Sequence, residues 1–158
     1  MIGPRAGIVP QNAVEARHDV LVYTTPPLET DLEVTGPVTL ILHVSTTASS
    51  TDFTGKLVDV HPAGTAYNVS DGILRREYDG RPDAGPTEIR IDLWPTSMVF
   101  MKGHRIRLEI SSSNYPRFDR NPNTGRRIAT ETEPVAAMQT VHHGAASPSR
   151  LILPIVPR

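Results

Sequence analysis

The chain contains no cysteine, so neither a disulfide framework nor a thiolate zinc site can belong to its architecture. Aromatic residues are scarce as well: one Trp, four Tyr and three Phe among 158 residues. A sugar-binding surface built on stacked rings has little to draw on. Charge of one sign is also lacking. Sixteen basic residues against seventeen acidic ones leave a formal charge of −1, which excludes the basic field that nucleic acid or an anionic membrane surface requires. No apolar run approaches the ~20 residues of a membrane span. Met1-Ile2-Gly3-Pro4 lacks the charged and apolar regions of a signal peptide, and these absences leave the compartment open. Neither an internal repeat nor a low-complexity tract is present, which argues against solenoids and linker-dominated chains.

Prolines and glycines, fifteen and eleven of them, are abundant instead, and they punctuate short apolar stretches throughout. That distribution predicts strands joined by turns, with little helix. The plainest strand surrounds Ile106, Leu108 and Ile110, which alternate with Arg105, Arg107 and Glu109. At a side-chain period of two, this is a half-buried strand with charges on its outer face. Ile89, Ile91 and Leu93 alternate with Glu88, Arg90 and Asp92 in the same way, and Met98 to Met101 is apolar without alternation. Asp19 to Tyr23 and Asp31 to Thr35 read as two strands ended by Pro26-Pro27 and Gly36-Pro37. Val38, Leu40, Leu42 and Val44 share one face and Thr39, Ile41, His43 and Ser45 the other, so this run is expected to be covered on both sides, near the centre of a sheet. Asp52 to Val60 continues the series until the turn His61-Pro62-Ala63-Gly64, where Gly64 suits a positive φ. Ser70-Asp71-Gly72 is read as a hairpin turn between 65–69 and 73–78, residues 81–86 as a loop, and 138–143 with 151–156 as a closing hairpin with Pro154 at an edge. About nine strands indicate an all-β, two-sheet sandwich of jelly-roll type. Residues 1–18 read as an extended lead-in and 19–158 as one domain, a length able to bury about two-thirds of its unfolded surface.

The search for chemistry is mostly negative. No serine lies in a Gly-x-Ser-x-Gly elbow. His142 and His143 are adjacent, and neighbours on a strand point to opposite faces, so they cannot chelate one ion. His43 is read as a sheet residue, and His61 and His104 as hydrogen-bonding turn residues. Asp119-x-Asn121-x-Asn123 begins like a calcium loop, but the glycine comes one place late at Gly125 and Thr130 stands where a bidentate glutamate belongs. Asx-type turns are the expectation there. Asn68-Val69-Ser70 fits the glycosylation triplet without an accompanying secretion signal. Arg117, Phe118, Arg120, Arg126 and Arg127 form a basic cluster around an aromatic, suited to an anion or to docking another domain.

Several blocks together carry a resemblance: Asp19 through Leu28, Val34 through Val38, Thr51 through Pro62, Asp71 through Arg75, and Gly103 to Ile106 through Asn121-x-Asn123-Thr124-Gly125. Ser147-x-Ser149-Arg150 and Leu151 to Pro154 resemble the closing strand. In this order, over roughly residues 7 to 157, they resemble the C-terminal domain of the cocaine-esterase and X-Pro dipeptidyl-peptidase family, often labelled CocE/NonD. The resemblance implies a jelly roll similar to galactose-binding folds, following an α/β-hydrolase domain and a helical cap. Members of that family are serine hydrolases acting on acyl esters, β-lactam side-chain amides or X-Pro dipeptides. Their triad and oxyanion-hole motifs have no counterpart in this sequence, so no catalytic residue and no cofactor are expected.

Three readings follow. The first is a non-catalytic domain whose partners are the hydrolase and cap domains of its parent chain, with Phe100, Met101, Tyr115, Arg117, Phe118 and Arg120 as candidate docking residues. Cut from its parent, such a domain is expected to self-associate through its uncovered apolar surface. The second is a carbohydrate-binding module, distinguished by an exposed platform at Trp94 or Tyr115. The third, a self-contained metal-assisted enzyme, is disfavoured by the scatter of the six histidines along the chain.

Overall fold

The computed structural model describes residues 7–78 and 83–157. Eight strands run antiparallel in two sheets. They are β1 (Leu21–Thr24), β2 (Leu32–Thr46), β3 (Ser50–Val60), β4 (Ala66–Glu77), β5 (Asp83–Phe100), β6 (Arg105–Ser111), β7 (Gln139–His142) and β8 (Arg150–Ile152). One sheet has the order β1-β6-β3-β4; the other has the order β5-β2-β7, with β8 also paired to β2. Among the described residues, helix is confined to one turn, α1 (Asn12–Glu15), and a short 3-10 turn at Ile128–Thr130. The architecture is an all-β sandwich.

The core forms where the period-two rows of the two sheets meet. Val34, Val38, Leu40, Leu42 and Val44 of β2 stand beside Ile89, Ile91 and Leu93 of the paired strand β5, all 3% exposed or less. Phe53 and Leu57 of β3, with Ile106 and Ile110 of β6, close the core from the other sheet. At ~1.5–3 kcal/mol for each fully buried aliphatic or aromatic side chain, this cluster dominates the folding energy. The sheets approach most closely at Gly55, where a Cβ would lie 2.4 Å from Leu40 Cδ2, and at Gly72, where it would lie 2.0 Å from the Asp92 carbonyl oxygen.

That close approach corrects the hairpin expected at Ser70-Asp71-Gly72. β4 passes straight through it, paired to β3 from Ser50↔Glu77 to Val60↔Ala66. Gly72 serves to admit the β5 backbone and does not turn the chain. Gly36-Pro37 likewise ends nothing. β2 is a single 15-residue strand whose irregularity at Pro37/Thr39 is absorbed opposite Trp94, which takes φ 68°. The central position of β2 agrees with the sequence: it lies between β5 on one side and β7 and β8 on the other. β7 and β8 do not pair with each other. They follow one another along the same edge of β2, and Ser149 joins them, its Oγ accepting from His43 N at 2.8 Å and donating to the His142 carbonyl at 2.6 Å. The loop expected over 81–86 starts outside the described residues, and from Asp83 onward the backbone already belongs to β5.

The outer face of the β1-β6-β3-β4 sheet was expected in solvent. Much of it is covered. Residues 7–18 lie along it, tied by Gln11 N to Ala66 O at 2.8 Å, Val9 N to Asn68 Oδ1 at 2.7 Å and Asn12 Nδ2 to Gly64 O at 2.9 Å. The segment after β6 folds back over the same face, bringing Asn121 Nδ2 within 2.9 Å of Asp52 Oδ1 and Asn114 Nδ2 within 2.6 Å of Asp71 Oδ2. A polar layer is thereby buried, with Asp52 at 1% and Glu109 at 4% exposure.

Candidate interaction surfaces and side-chain clusters

The six docking candidates do not share one surface. Phe100 is fully buried in the core and offers nothing to a partner, because it lies opposite Leu32 on the inward row of β5. Met101, half exposed, sits at the β5–β6 turn, where its carbonyl accepts from His104 N. Tyr115 and Arg117 line a cleft of about 790 Å³ together with Ile8 and Trp94. In that cleft Tyr115 is 69% and Trp94 59% exposed. Arg117 is anchored by an ion pair to Asp71 and lies over the Phe118 ring at 5.4 Å. Phe118 is half-buried beneath it, and Arg120 borders a neighbouring depression with Lys56 and Glu109.

A second apolar surface escaped the sequence reading. On the side of the sandwich opposite the β4–β5 approach, the sheets leave an open groove of about 440 Å³ between β1/β6 and β7/β8. Leu40, Leu42, Leu108 and Ile110 form its floor, and Tyr23 and His143 stand at its edge with ring centroids 5.9 Å apart. Leu21, Val22 and Tyr23 are each about 40% exposed on the edge strand β1. The available signal was Val20-Leu21-Val22-Tyr23, apolar at every position where a half-buried strand would alternate.

The polar layer is strongly coupled. Arg75 binds Asp52 in a two-pronged pair at 2.7 and 2.8 Å and reaches Asp119 at 3.1 Å. The hydrogen bond to Asp52 holds the Arg75 guanidinium above its ordinary range, against the opposing effect of burial. Asn121, read as part of an Asx turn, accepts from Asn123 N at 2.9 Å and so behaves as expected. Farther along the same face, burial pushes the Glu109 carboxyl up from its ordinary 4.5 to about 7. Lys56, whose Nζ is 3.6 Å from Glu109, opposes that rise, and Glu15 adds to it.

The histidines are as expected in their local settings but not in their contacts. His142 Nε2 meets Ser45 Oγ at 2.9 Å. His43 Nε2 lies 3.5 Å from its cross-strand partner Glu88. His104 Nδ1 lies 3.0 Å from both oxygens of Asp59, and His61 Nε2 lies 3.4 Å from Asp59 Oδ2. The serine contact and the carboxylate contacts thus belong to different imidazoles, and among the described residues they do not join into a Ser–His–acid relay. His61 and His104, 43 positions apart in sequence, are not scattered in space, since both turns lie at the same end of β3 and β6.

The fold and these surfaces can be set beside known proteins. Residues 5–152 match the family described as X-Pro dipeptidyl-peptidase C-terminal non-catalytic domain. Cocaine esterase from Rhodococcus sp. (strain MB1 Bresler) is 44% identical over 162 aligned positions, covering 96% of this chain and 28% of the esterase. The crystal structure of an aminopeptidase from the marine sediment archaeon Thaumarchaeota archaeon aligns with a TM-score of 0.86 at 30% identity, over 95% of this chain and 28% of that one. An α-amino acid ester hydrolase aligns with a TM-score of 0.85 at 29% identity, over 94% and 27%. The chain therefore spans little more than a quarter of the length of each of these relatives. A match over nearly all of its residues, in a sandwich of the same shape, places the chain in the X-Pro dipeptidyl-peptidase C-terminal non-catalytic domain family, the non-catalytic domain of CocE-type hydrolases.

Proposed function

We propose that this chain is the part of a larger serine hydrolase that packs on its α/β-hydrolase and cap domains and helps shape the substrate cleft. The parent reaction in this reading is cleavage of an acyl ester or a related amide. The observation that carries the proposal is the open groove between β1/β6 and β7/β8, floored by apolar residues of both sheets and edged by the exposed Tyr23. An apolar surface of this kind on a small sandwich calls for a covering partner. The relatives supply the rest of the argument, since nearly three-quarters of each lies outside the matched region.

Two measurements test this reading. The purified chain should hydrolyse p-nitrophenyl esters no faster than a serum albumin control, and an enzyme-like rate would overturn the non-catalytic assignment. In the full-length hydrolase, Tyr23→Asp, which sets a charge at the edge of the groove, should lower kcat/KM and the midpoint of thermal unfolding. Unchanged activity and stability in that variant would remove the groove as the docking face.

One observation favours a second reading, a carbohydrate-binding module. Trp94 and Tyr115 are both exposed and line the same cleft, with the Trp94 ring projected by its positive-φ backbone. Glycan-array binding that is lost in Trp94→Ala supports this alternative, and its absence leaves the cleft as a further contact region for the parent enzyme.

A further inference from the structure

Asp59 breaks the rule of its own strand. Along β3 the inward row reads Phe53, Gly55, Leu57, Asp59, and the residues paired with Leu57 and Asp59 in β6 are Leu108 and Ile106. An apolar side chain is what that row predicts at position 59, yet a carboxylate stands there with 4% of its surface exposed. A buried carboxylate persists only with hydrogen-bond donors or a cation against it. Two imidazoles fill that role. His104 Nδ1 is 3.0 Å from each Asp59 oxygen, and His61 Nε2 is 3.4 Å from Asp59 Oδ2. One ligand atom from each of the three residues lies within 4.8 Å of the other two.

These spacings suit a metal ion. Zinc-to-nitrogen and zinc-to-oxygen bonds of about 2.0–2.1 Å place neighbouring ligand atoms of a tetrahedron about 3.4 Å apart. The imidazole-to-carboxylate separations of 3.0 and 3.4 Å need only slight opening to reach that geometry. The two rings lie 4.4 Å apart between centroids, close enough for one divalent ion to serve both. The scaffold is rigid on both sides. The His61 turn is closed by Gly64 N to His61 O at 2.8 Å and His61 N to Thr65 O at 2.9 Å. The His104 turn is closed by His104 N to Met101 O at 3.0 Å and held by Leu28 N to His104 O at 2.8 Å. His61 is 43% exposed, which gives an ion access from solvent and leaves its remaining coordination to water.

We propose that Asp59, His61 and His104 form a binding site for a divalent transition-metal ion of the Zn²⁺ class, joining the turn after β3 to the turn before β6. Two nitrogens and one oxygen favour zinc, nickel or copper over the hard ions magnesium and calcium.

Zinc chloride titrated into the metal-stripped 158-residue chain at pH 7.5, read by calorimetry, should give one saturable equivalent. Magnesium chloride should give none. Histidine ring resonances of His61 and His104 should shift together on titration, with those of His142 and His143 unmoved. His61→Ala changes a partly exposed turn residue, so its circular dichroism should match the parent while its zinc affinity falls at least tenfold. His143→Ala, which alters the ring beside Tyr23 and none of the three cluster residues, should leave affinity unchanged. The proposal is overturned by the absence of saturable binding up to 1 mM zinc, by a loss of less than tenfold in a folded His61→Ala, or by shifts confined to His142 and His143.

Discussion

Replacing Glu109 by glutamine should make the domain more stable at neutral and alkaline pH. Glu109 lies on the outer row of β6, 4% exposed, with Oε1 lacking a hydrogen-bond partner and Lys56 Nζ 3.6 Å from Oε2. Burial, reinforced by Glu15, raises its carboxyl from 4.5 to about 7 in the folded protein. Between those two values the folded chain holds a proton that the unfolded chain has released, so unfolding releases a proton and stability falls as pH rises. The contribution is fully present below about pH 4.5 and lost once pH passes 7. At ~1.4 kcal/mol per pH unit, the displacement from 4.5 to about 7 amounts to about 3 kcal/mol. Glu109→Gln keeps the shape and removes the ionisation. It also removes the attraction to Lys56, so ~3 kcal/mol is an upper bound and a gain of roughly 1–3 kcal/mol at pH 8 is expected. Urea unfolding followed by circular dichroism from pH 4.5 to 8 measures both proteins. Stability curves that run parallel across this interval would refute the reasoning, because the difference between them isolates position 109.

Three further substitutions probe the packing. Gly72→Ala places a methyl 2.0 Å from the Asp92 carbonyl oxygen, which forces β4 away from β5 and should cost at least ~2 kcal/mol in urea unfolding. Leu40→Ala empties a fully buried position between the sheets and should lower stability by ~2–5 kcal/mol, with no change in the slope of the denaturant curve. Arg75→Ala leaves the Asp52 carboxylate buried with only neutral donors and should cost ~3 kcal/mol; a double variant, Arg75→Met with Asp52→Leu, should recover most of that loss.

Period-two alternation made the inward rows of β2, β5 and β6 legible, because the pleat forces it wherever one face is buried. It could not say where strands end. Gly36-Pro37, Asp71-Gly72 and Trp94-Pro95 all resemble breaks, yet β2, β4 and β5 pass through them. Each is a place where the chain bends or admits a neighbouring backbone, and that depends on the partner strand, which local sequence does not contain. The closing hairpin failed for a related reason. The loop of Gly144 to Ser149 suggests a turn between partners, but Ser149 supplies its hydroxyl to the β2 edge so that β7 and β8 share one partner. The Asp59 cluster was invisible because its two imidazoles, His61 and His104, come from turns 43 positions apart, and only the pairing of β3 with β6 brings them together. One local sign was present: an aspartate in phase with Phe53 and Leu57.

Charged residues alternating with apolar ones usually mark a solvated face, and for the β1-β6-β3-β4 sheet that inference fails in a way that bears on function. Asp52, Lys56, Glu109 and Arg107 all point outward, and all are covered by residues 7–18 and by the segment after β6. Burying such a layer under apolar chain would strand its charges. The covering segments instead supply partners at matched positions: Gln11 to Lys56, Glu15 to Arg107, Asn121 to Asp52 and Asn114 to Asp71. Both broad faces of this sheet are therefore spoken for within the chain. A partner domain that needs apolar contact is left with the sandwich's open long side, where Tyr23 has no such cover, and with the rim at Trp94 and Tyr115. The proposed docking groove follows from where the chain has already spent its polar complementarity.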